Sequence, residues 1–420
     1  MKHFFFLIIF SSVFTLESFS AEWSQWRGPQ RDGQVAGGRV WPSGLGTNQL
    51  KEIWRVEVGP SYSGPIVSAD RVFTTETRDE KFEVVRALDR STGNELWISE
   101  WEGALKVPFF AKSNGSWIRS TPAIDGDRLY VAGMREVLVC INARDGSEIW
   151  RKDFVNELKT PLPDFGFVCS PLVDGPAVFV QAGAGLAKLD KLTGEILWRS
   201  SEDNGGMWDS AFSSPIIAEL GGIRQLVVQT REKLIGVNID SGSIMWEQPV
   251  QAFRGMNILT PVVHGDIVLT SAYGGKTIGF KVDFRGDAFV VEEVWRHKAQ
   301  GYMSTPVVIN GIAYEHLKSQ RLMAIDLNSG QEYWTSNQSF GKYMSLVANG
   351  DQILALDQRG ELLLLHANTE KLTIIDQRKL TDAETWAHLA VADDEIFVRE
   401  LNGLVAYRWR NDENQDVANR

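Results

Sequence analysis

Residues 87–97 read ALDRSTGNELW, and this stretch decides the fold because its spacing recurs along the chain. A short apolar run ends in Asp or Asn, a Gly follows four positions later, and a Trp stands eight positions after the Asp or Asn. A copy that starts at Asp283 is longer by four residues, and the regular recurrences start at Asn142, Asp190, Asn238 and Asp326. Because Asp caps a turn and Gly accepts a positive φ, each copy predicts two strands that fold back on each other.

The Trp that ends each copy is expected to lie between neighbouring units, where its flat surface is buried and its N–H finds a backbone acceptor. The chain contains 15 Trp, so this structural use accounts for a large share of them. The tryptophans predicted to dock neighbouring units in this way are Trp97, Trp150, Trp198, Trp246, Trp295 and Trp334.

A second recurring element begins with Ser or Thr before Pro and continues into an apolar strand. Its eight starts lie near Ser63, Ser120, Cys169, Ser213, Leu259, Ser304, Ser345 and His388, the last two being weaker copies. Residues 53–409 number 357, or about 45 per unit, which is the length of a four-stranded propeller blade. Short apolar runs without helical periodicity support strands throughout. The sequence therefore predicts an all-β, eight-bladed β-propeller.

The two ends of the repeat predict how the ring closes. The apolar segment 53–58 resembles an outermost strand but precedes the first Pro start, and the last unit ends after three strands. The N-terminal strand is therefore expected to complete the last blade, which hides an unpaired strand edge.

The first 20 residues have the pattern of a cleaved signal peptide. A basic start is followed by an apolar run from Phe4 to Phe10 and a small-x-small end at residues 18–20. The mature chain is therefore expected to be periplasmic or secreted, without a transmembrane segment. No Cys lies near the predicted cleavage point, so a lipid anchor has no attachment site there.

The rest of the chain is expected to divide into three parts. Residues 21–50 lack strand periodicity, and we expect this extension to pack on the outer surface of the propeller through Trp23, Trp26 and Trp41. Residues 51–410 are assigned to the propeller. Residues 411–420 are polar and are expected to form a disordered tail.

Composition excludes some function classes. The formal net charge of −11 argues against a nucleic-acid partner. The two cysteines, Cys140 and Cys169, are too few for a disulfide scaffold; both a single bridge and two buried thiols are compatible with the sequence. We expect a monomer.

Residues just before each Pro start should surround the mouth of the central channel. An aromatic channel mouth suits a flat ligand, a sugar or an extended peptide, although the same side chains would also serve to fill the channel. The candidate ligand-binding residues are Tyr62, Trp117, Arg119, Phe167, Trp208, Asp209, Asn257, Tyr302, Tyr343, Trp386 and His388.

Turns predicted on the same face carry basic residues that would favour an anionic ligand, unless the acidic residues among them neutralise the charge. These basic residues are Arg78, Lys81, Arg135, Arg231, Lys233, Lys276, Lys318, Arg321 and Arg359. Motifs of catalysis are missing: the sequence contains no His-x-x-x-His, no Cys-x-x-Cys and no Gly-x-Ser-x-Gly. No catalytic residue and no metal ligand is assigned from sequence.

The copies ALDRSTGNELW, KLDKLTGEILW and AIDLNSGQEYW resemble the tryptophan-docking motif of pyrroloquinoline-quinone-type propellers. That family includes quinoprotein alcohol dehydrogenases and the outer-membrane assembly lipoprotein BamB. The opening segment WSQWRGP, residues 23–29, is similar to the start of an exported bacterial branch of the family.

The dehydrogenase branch implies a quinone cofactor, a calcium ion held by Glu, Asn and Asp, an Asp base and two adjacent cysteines. Here Cys140 and Cys169 stand 29 positions apart, and Asp209 and Asn257 are the available oxygen ligands near the mouth. The BamB branch implies a role in outer-membrane protein assembly instead.

Three functions are compatible with these observations. The first is an exported, non-catalytic binding or scaffold propeller of the cell envelope, without a cofactor, whose channel mouth takes a protein, peptide or glycan. The second is a periplasmic alcohol or sugar dehydrogenase that depends on pyrroloquinoline quinone and calcium. The third is a polysaccharide hydrolase or lyase that uses Arg119, Tyr302 and His388.

Overall fold

The computed structural model describes residues 21–35, 40–203 and 210–410, and in this part of the chain it confirms an eight-bladed β-propeller. Eight antiparallel sheets of four strands each are arranged around a central channel. The predicted signal peptide and C-terminal tail lie outside the described residues.

Within each blade the strands follow one another from the channel outward. Blade 1 comprises β2 (Ile66–Val67), β3 (Arg71–Arg78), β4 (Phe82–Asp89) and β5 (Glu95–Glu102). Blade 2 comprises β6 (Ala123–Asp125), β7 (Arg128–Gly133), β8 (Val137–Asn142) and β9 (Glu148–Asp153). Blade 3 comprises β10 (Leu172–Asp174), β11 (Ala177–Gln181), β12 (Leu186–Asp190) and β13 (Ile196–Ser200). Blade 4 comprises β14 (Ile216–Leu220), β15 (Ile223–Gln229), β16 (Lys233–Val237) and β17 (Ile244–Pro249).

The second half of the ring repeats this order. Blade 5 comprises β18 (Val262–His264), β19 (Ile267–Ser271), β20 (Thr277–Arg285) and β21 (Ala288–His297). Blade 6 comprises β22 (Val307–Ile309), β23 (Ile312–His316), β24 (Leu322–Asp326) and β25 (Glu332–Thr335). Blade 7 comprises β26 (Met344–Asn349), β27 (Gln352–Asp357), β28 (Glu361–His366) and β29 (Thr373–Lys379). Blade 8 comprises β30 (Ala390–Ala392), β31 (Glu395–Glu400), β32 (Gly403–Trp409) and the N-terminal strand β1 (Leu50–Glu57).

Helical structure is confined to short connections. Among the described residues these are α1 (Phe154–Leu158) and the two 3-10 turns Phe109–Asn114 and Phe253–Gly255. None of the described helices is long and apolar enough to span a membrane.

Strand β1 closes the ring, as the sequence predicts. It pairs antiparallel with β32, Leu50 lying opposite Trp409 and Glu57 opposite Gly403. Trp54 of this strand donates its indole N–H to the carbonyl of Arg90 in blade 1 at 2.9 Å. The first strand of the chain is thus the outer edge of the last blade and also contacts the first blade.

The recurring Trp and Gly act between blades. Trp97 donates its N–H to the carbonyl of Ala143 in the next blade at 3.0 Å, and its ring covers Gly146. Gly146 has φ of 77°, and a Cβ there would lie 2.7 Å from the Trp97 ring, so this position requires Gly. Trp150, Trp198, Trp295 and Trp334 make the corresponding bond to the carbonyls of Lys191, Ile239, Leu327 and Asn368. Trp246 differs, since its N–H bonds the side chain of Gln225 in its own blade.

The Ser/Thr-Pro starts link the inner ends of the blades. Thr121 donates its backbone N–H to the Ser170 hydroxyl at 3.0 Å, and Ser170 does the same to Ser214 at 2.9 Å. The chain of bonds continues from Ser214 to Thr260 and from Thr260 to Thr305. The hydroxyl in this motif therefore joins neighbouring blades around the channel.

Blade 1 has Gly64 where blades 2 to 6 have Ser or Thr, and the reason is steric. Gly64 donates its N–H to the Thr121 hydroxyl at 2.9 Å and so joins the same series. A Cβ at this position would lie 2.7 Å from the carbonyl oxygen of His388 in blade 8. The first and last blades approach closely here, which only Gly allows.

Residues 23–35 lie inside the channel, so the expectation that the whole extension covers the outer surface is wrong. Trp23 pairs with Val67 of β2, and Ser24 accepts the backbone N–H of Ile124 in β6. Gln25 bonds Val173 of β10, and Val35 donates to Ala348 of β26 at 2.9 Å. This segment, called the channel segment below, supplies bonds to the inner strands of several blades, on the edge with which no other described strand pairs.

The following residues do pack outside. Trp41 stacks on Trp409 with ring centroids 5.6 Å apart, and its backbone N–H bonds the Gln352 side chain. Leu45 is fully buried and donates its backbone N–H to Asp376 of β29 at 2.6 Å. The second half of the extension therefore covers the junction of blades 7 and 8.

Both cysteines are free and buried. Cys140 lies on β8 and Cys169 precedes β10. Burial raises the pKa of Cys140 to about 12 and that of Cys169 to about 11. Both thiols are therefore structural parts of the core at neutral pH.

Candidate functional site

A cavity of about 500 Å³ lies at the mouth of the channel. Every blade contributes at least one residue to its wall, because the residues before each inner strand converge on the axis. The wall consists of Trp26, Tyr62, Arg119, Thr121, Phe165, Val168, Ser170, Phe212, Ser214, Met256, Ile258, Thr260, Tyr302, Met303, Thr305, Lys318, Gln320, Lys342, Tyr343, Trp386 and His388. We call this cavity the mouth pocket.

One side of the mouth pocket is aromatic and polar. Trp386 of blade 8 lies between two tyrosines, with ring centroids 5.9 Å from Tyr62 and 6.3 Å from Tyr343. The Arg119 guanidinium lies 5.7 Å from the Tyr62 ring centroid, within the range of a cation–π contact. These rings offer flat surfaces on which an extended or planar ligand can stack.

The opposite side is apolar. Phe165 and Phe212 pack with ring centroids 5.5 Å apart, and Val168, Met256 and Ile258 continue this surface. Their positions follow from the loops that enter β10, β14 and β18. This wall suits a hydrophobic group, and the Met side chain adapts to ligands of different shape.

Three cations line the mouth pocket. Arg119 donates to the carbonyls of Trp117 and Gly115, and burial lowers its pKa to about 10. The Lys318 ammonium lies 4.3 Å from the centroid of the Tyr273 ring, and Lys342 is exposed at the rim. None of the described wall residues is Asp or Glu, so the wall is positively charged in a protein of net charge −11.

The channel segment forms the floor. Trp26 lies between the guanidinium groups of Arg27 and Arg31, at 5.6 and 5.5 Å from its ring centroid. Arg27 donates to the carbonyls of Thr305 and Pro306 at 2.7 Å each, and Arg31 donates to those of Pro171 and Ser170. Burial lowers the pKa of both arginines to about 10, which leaves them charged at neutral pH.

His388 connects the floor with the wall. Its Nδ1 lies 2.8 Å from the carbonyl oxygen of Leu389, and burial lowers its pKa to about 3. The imidazole is therefore neutral, with Nδ1–H as the donor and Nε2 as an acceptor. Nε2 is buried and has no hydrogen-bond partner in the described part of the chain.

The structure brings together six of the candidate residues chosen from sequence. Tyr62, Arg119, Tyr302, Tyr343, Trp386 and His388 all line the mouth pocket. Trp208 and Asp209 lie outside the described residues.

Three candidates are placed elsewhere. Phe167 is buried against Phe154, and Trp117 is absent from the described wall. The Asn257 amide donates to the carbonyls of Thr230, Arg231 and Val250. In the loops before β10 and β18, some side chains face the pocket and their neighbours face the core. A shift of one position therefore changes which of the two a side chain faces.

Sequence reasoning missed several wall residues. Phe165, Phe212 and Met256 stand a few positions before an inner strand, and only counting back further from each Pro would have found them. Lys342 directly precedes the candidate Tyr343. Trp26 carries no sequence signal for the channel, because its segment has no strand periodicity.

Most of the basic turn residues are neutralised by acidic neighbours. Arg78 bonds Glu76 and Glu100, and Lys81 pairs with Glu102. Ion pairs also neutralise Arg231, Lys233 and Arg359 through Asp203, Glu247 and Asp357. Of the basic turn residues, only Lys318 contributes to the described wall of the mouth pocket.

The mouth pocket does not fit a quinone held through calcium. Calcium needs several oxygen ligands with negative charge, and the described wall contains no carboxylate. Asn257 is not among the described wall residues, and the described residues contain no cluster of three or more His, Cys, Asp or Glu able to hold a metal. Cys140 and Cys169 are separate thiols.

Comparison with known families identifies the repeat. The family model described as "Outer membrane protein assembly factor BamB" matches residues 81–336, which is more than half of the chain. The chain belongs to this BamB-type family. The resemblance carried by the tryptophan-docking motif is thereby confirmed.

Full-length relatives of the BamB type are distant in sequence. Outer membrane protein assembly factor BamB of Moranella endobia is 23% identical over 374 residues, covering 84% of this chain and 89% of that protein. The Yersinia pestis protein of the same name is 21% identical over 391 residues, covering 89% of this chain and 83% of that protein.

Solved structures share the fold. BamB from Moraxella catarrhalis superposes with a TM-score of 0.61 and 14% identity, covering 86% of this chain and 98% of that one. The quinohemoprotein alcohol dehydrogenase from Comamonas testosteroni superposes with a TM-score of 0.53 and 12% identity, covering 92% and 80%. At these identities the BamB-type fold is shared, and the two structures by themselves do not separate a binding protein from a dehydrogenase.

Proposed function

We propose that this chain is a non-catalytic binding propeller of the cell envelope that holds a protein partner at the mouth pocket and acts in outer-membrane protein assembly. The observation that carries the proposal is the wall itself. All eight blades supply side chains to it, and aromatic rings and Met stand where a rigid ring presents them to a partner. Exposed Phe109 and Phe253 extend the apolar surface around the same face.

The relatives support this proposal over an enzyme. The full-length relatives named above are called outer membrane protein assembly factors, a non-catalytic description. Export by the N-terminal signal and a periplasmic location belong to the same proposal. The dehydrogenase alternative lacks carboxylate ligands for calcium in the described wall. In a hydrolase or lyase His388 would act as the base, and burial, which lowers its pKa to about 3, makes it a weak one.

Site-specific crosslinking tests the proposal. A photoreactive phenylalanine analogue replaces Phe212 in the wall, and in a second variant it replaces Ile375 on the outer strand β29. Both variants are produced with their own N-terminus in a Gram-negative host and irradiated in intact cells. We expect discrete adducts with envelope proteins from position 212 and a weaker or different pattern from position 375. Equal patterns from both positions, or no adduct at 212, would contradict the proposal.

A further inference from the structure

The cations of the mouth pocket stand on blades 2, 6 and 7, which form its cationic side, whereas the apolar residues stand on blades 3 to 5. Arg119 lies over the Tyr62 ring, Lys342 directly precedes Tyr343 and Lys318 lies over the Tyr273 ring. The described wall has no acidic residue to balance them. Within the described part of the chain none of these three cations makes an ion pair. Arg119 is partly buried, and a partly desolvated cation without a counter-ion attracts an anion strongly; the exposed Lys318 and Lys342 add positive charge.

The other side of the pocket has no charge. Phe165, Phe212 and Ile258 present an apolar surface that a fully ionic ligand would leave uncovered. A phosphate or sulfate polyanion therefore matches only half of the wall. A ligand that covers both halves carries one anionic group on an apolar or aromatic body.

His388 adds a third requirement. Its buried Nε2 is an acceptor without a partner in the described residues, next to Trp26 at a ring centroid distance of 6.1 Å. Leaving a buried acceptor unpaired is unfavourable, so a ligand with an N–H or O–H donor close to its apolar body gains from this position.

We propose that the mouth pocket binds a carboxylate attached to an apolar or aromatic body, as in the last residue of a peptide or a free aromatic acid. The carboxylate lies against the cationic side, the body against the apolar side, and a donor such as the peptide N–H faces His388. A cavity of about 500 Å³ accommodates a ligand of this size. The inference rests on the proposed function, because it states which chemical group of the partner enters the pocket.

Calorimetric titration of the purified protein tests this chemistry with two matched pairs of probes. One pair is the acetylated peptide Gly-Ser-Gly-Ala-Phe with a free carboxylate and the same peptide as its amide. The other pair is 2-naphthylacetic acid and its amide. We expect each acid to bind about tenfold more tightly than its amide, since a charge-assisted contact contributes about 1.5 kcal/mol or more. Equal affinity of acid and amide in both pairs would overturn the proposal.

Substitution of the exposed lysines locates the charge. The double variant Lys318→Gln, Lys342→Gln should lower the affinity for the acids about tenfold and leave the amides unchanged. Lys371→Gln is the control, because Lys371 is an exposed lysine in the turn between β28 and β29, away from the wall. An equal loss in the control, or no loss in the double variant, would contradict the assignment.

The proposed protein partner and the proposed carboxylate ligand can each be contradicted while the other holds. Crosslinks at position 212 together with equal binding of acid and amide would keep the protein partner and remove the carboxylate. Binding of acids without crosslinks would keep the carboxylate and remove the protein partner. Preference for the peptide over naphthylacetate would identify a chain terminus as the source, and the reverse would identify a small acid.

Discussion

Glu315 on β23 is fully buried, and neither of its carboxylate oxygens has a hydrogen-bond partner among the described residues. Burial raises its pKa to about 8, because the charged form is poorly solvated there. Glu83 on β4 is equally buried, with a pKa also raised to about 8. It differs in accepting the Met134 backbone N–H at 2.7 Å and the Trp101 indole N–H at 3.1 Å.

Replacement of Glu315 by Gln should change how stability depends on pH. In the folded protein the carboxyl keeps its proton up to a pH of about 8, whereas in the unfolded chain it ionises near its ordinary pKa of 4.5. Its contribution is therefore fully present below pH 4.5 and is lost as pH rises toward 8, by up to about 1.4 kcal/mol per pH unit. The amide of the Glu315→Gln variant does not ionise, so the stability of the variant relative to wild type should rise from pH 5 to pH 8.

Thermal unfolding at pH 5, 6.5 and 8 measures this difference. Glu83→Gln is the contrasting variant, because an amide nitrogen cannot accept both of the N–H groups that Glu83 accepts. It should be less stable than wild type by about 1–3 kcal/mol at pH 5, and this difference should shrink toward pH 8, because the pKa of Glu83 is also raised to about 8. A difference between wild type and Glu315→Gln that stays constant with pH would show that the Glu315 carboxyl does not hold its proton.

The channel segment is short, and its side chains bind several blades. Arg27 and Arg31 donate their guanidinium N–H groups to carbonyls of blades 6 and 3, which stand three blades apart in the ring. Replacing Arg27 by Met removes these bonds and leaves the carbonyls of Thr305 and Pro306 unpaired.

Hydrogen exchange should report this change within the segment. In wild type we expect amides of residues 23–35 to exchange as slowly as those of β10, and in Arg27→Met at least about tenfold faster, a loss of about 1.4 kcal/mol. Arg144→Met is the control, since Arg144 forms an exposed ion pair with Asp127. Fast exchange of residues 23–35 in wild type, as in the exposed turn at Phe109, would contradict the placement of the segment in the channel.

The elements differ in how far the sequence could predict them. Asp89, Gly93 and Trp97 recur at fixed spacing, so the strands, the blade number and the closing role of β1 followed from local pattern. The channel segment could not be found in this way. Its bonds join Arg27 to Thr305 and Arg31 to Pro171, more than 130 positions apart, and a buried Arg held by carbonyls has no sequence signature.

The residues of the mouth pocket could be predicted from the sequence only in part. Tyr343 and Trp386 stand shortly before an inner strand in the sequence, and the structure places both at the mouth of the channel. Phe167 and Asn257 were misjudged because the path of an irregular loop is set by packing, which a period in the sequence does not encode.

At the scale of the whole molecule, stability depends on closing the ring. Trp54 of β1 packs on Phe397 within blade 8, with ring centroids 6.0 Å apart, and bonds Arg90 of blade 1. Trp54→Ala should lower the free energy of unfolding by about 3–5 kcal/mol, the usual effect of removing a buried Trp. Because blade 8 then loses its docking tryptophan on blade 1, while the Arg90–Glu395 ion pair and the bonds of Arg399 to Thr74 and Gly59 remain, the unfolding transition should also broaden.

Chemical denaturation followed by circular dichroism measures both effects. Ile375→Ala on the outer strand β29 is the control, because this side chain is 37% exposed and contacts no neighbouring blade through a docking motif. A loss in Trp54→Ala no larger than that in Ile375→Ala would show that the ring holds together without the closing contact.

The pairing of β1 with β32 also sets the order of events in time. Leu50 meets Trp409 only after 359 further residues have been made, and the channel segment, which also binds β2, β6 and β10, needs blades 6 and 7 to complete its bonds. Contacts of such long sequence separation form slowly and late. Strand β1 must therefore stay unpaired, and the channel segment only partly bound, while the blades between them and β32 assemble. A chain that is still emerging from a ribosome or a translocation channel cannot finish folding until residue 409 has emerged.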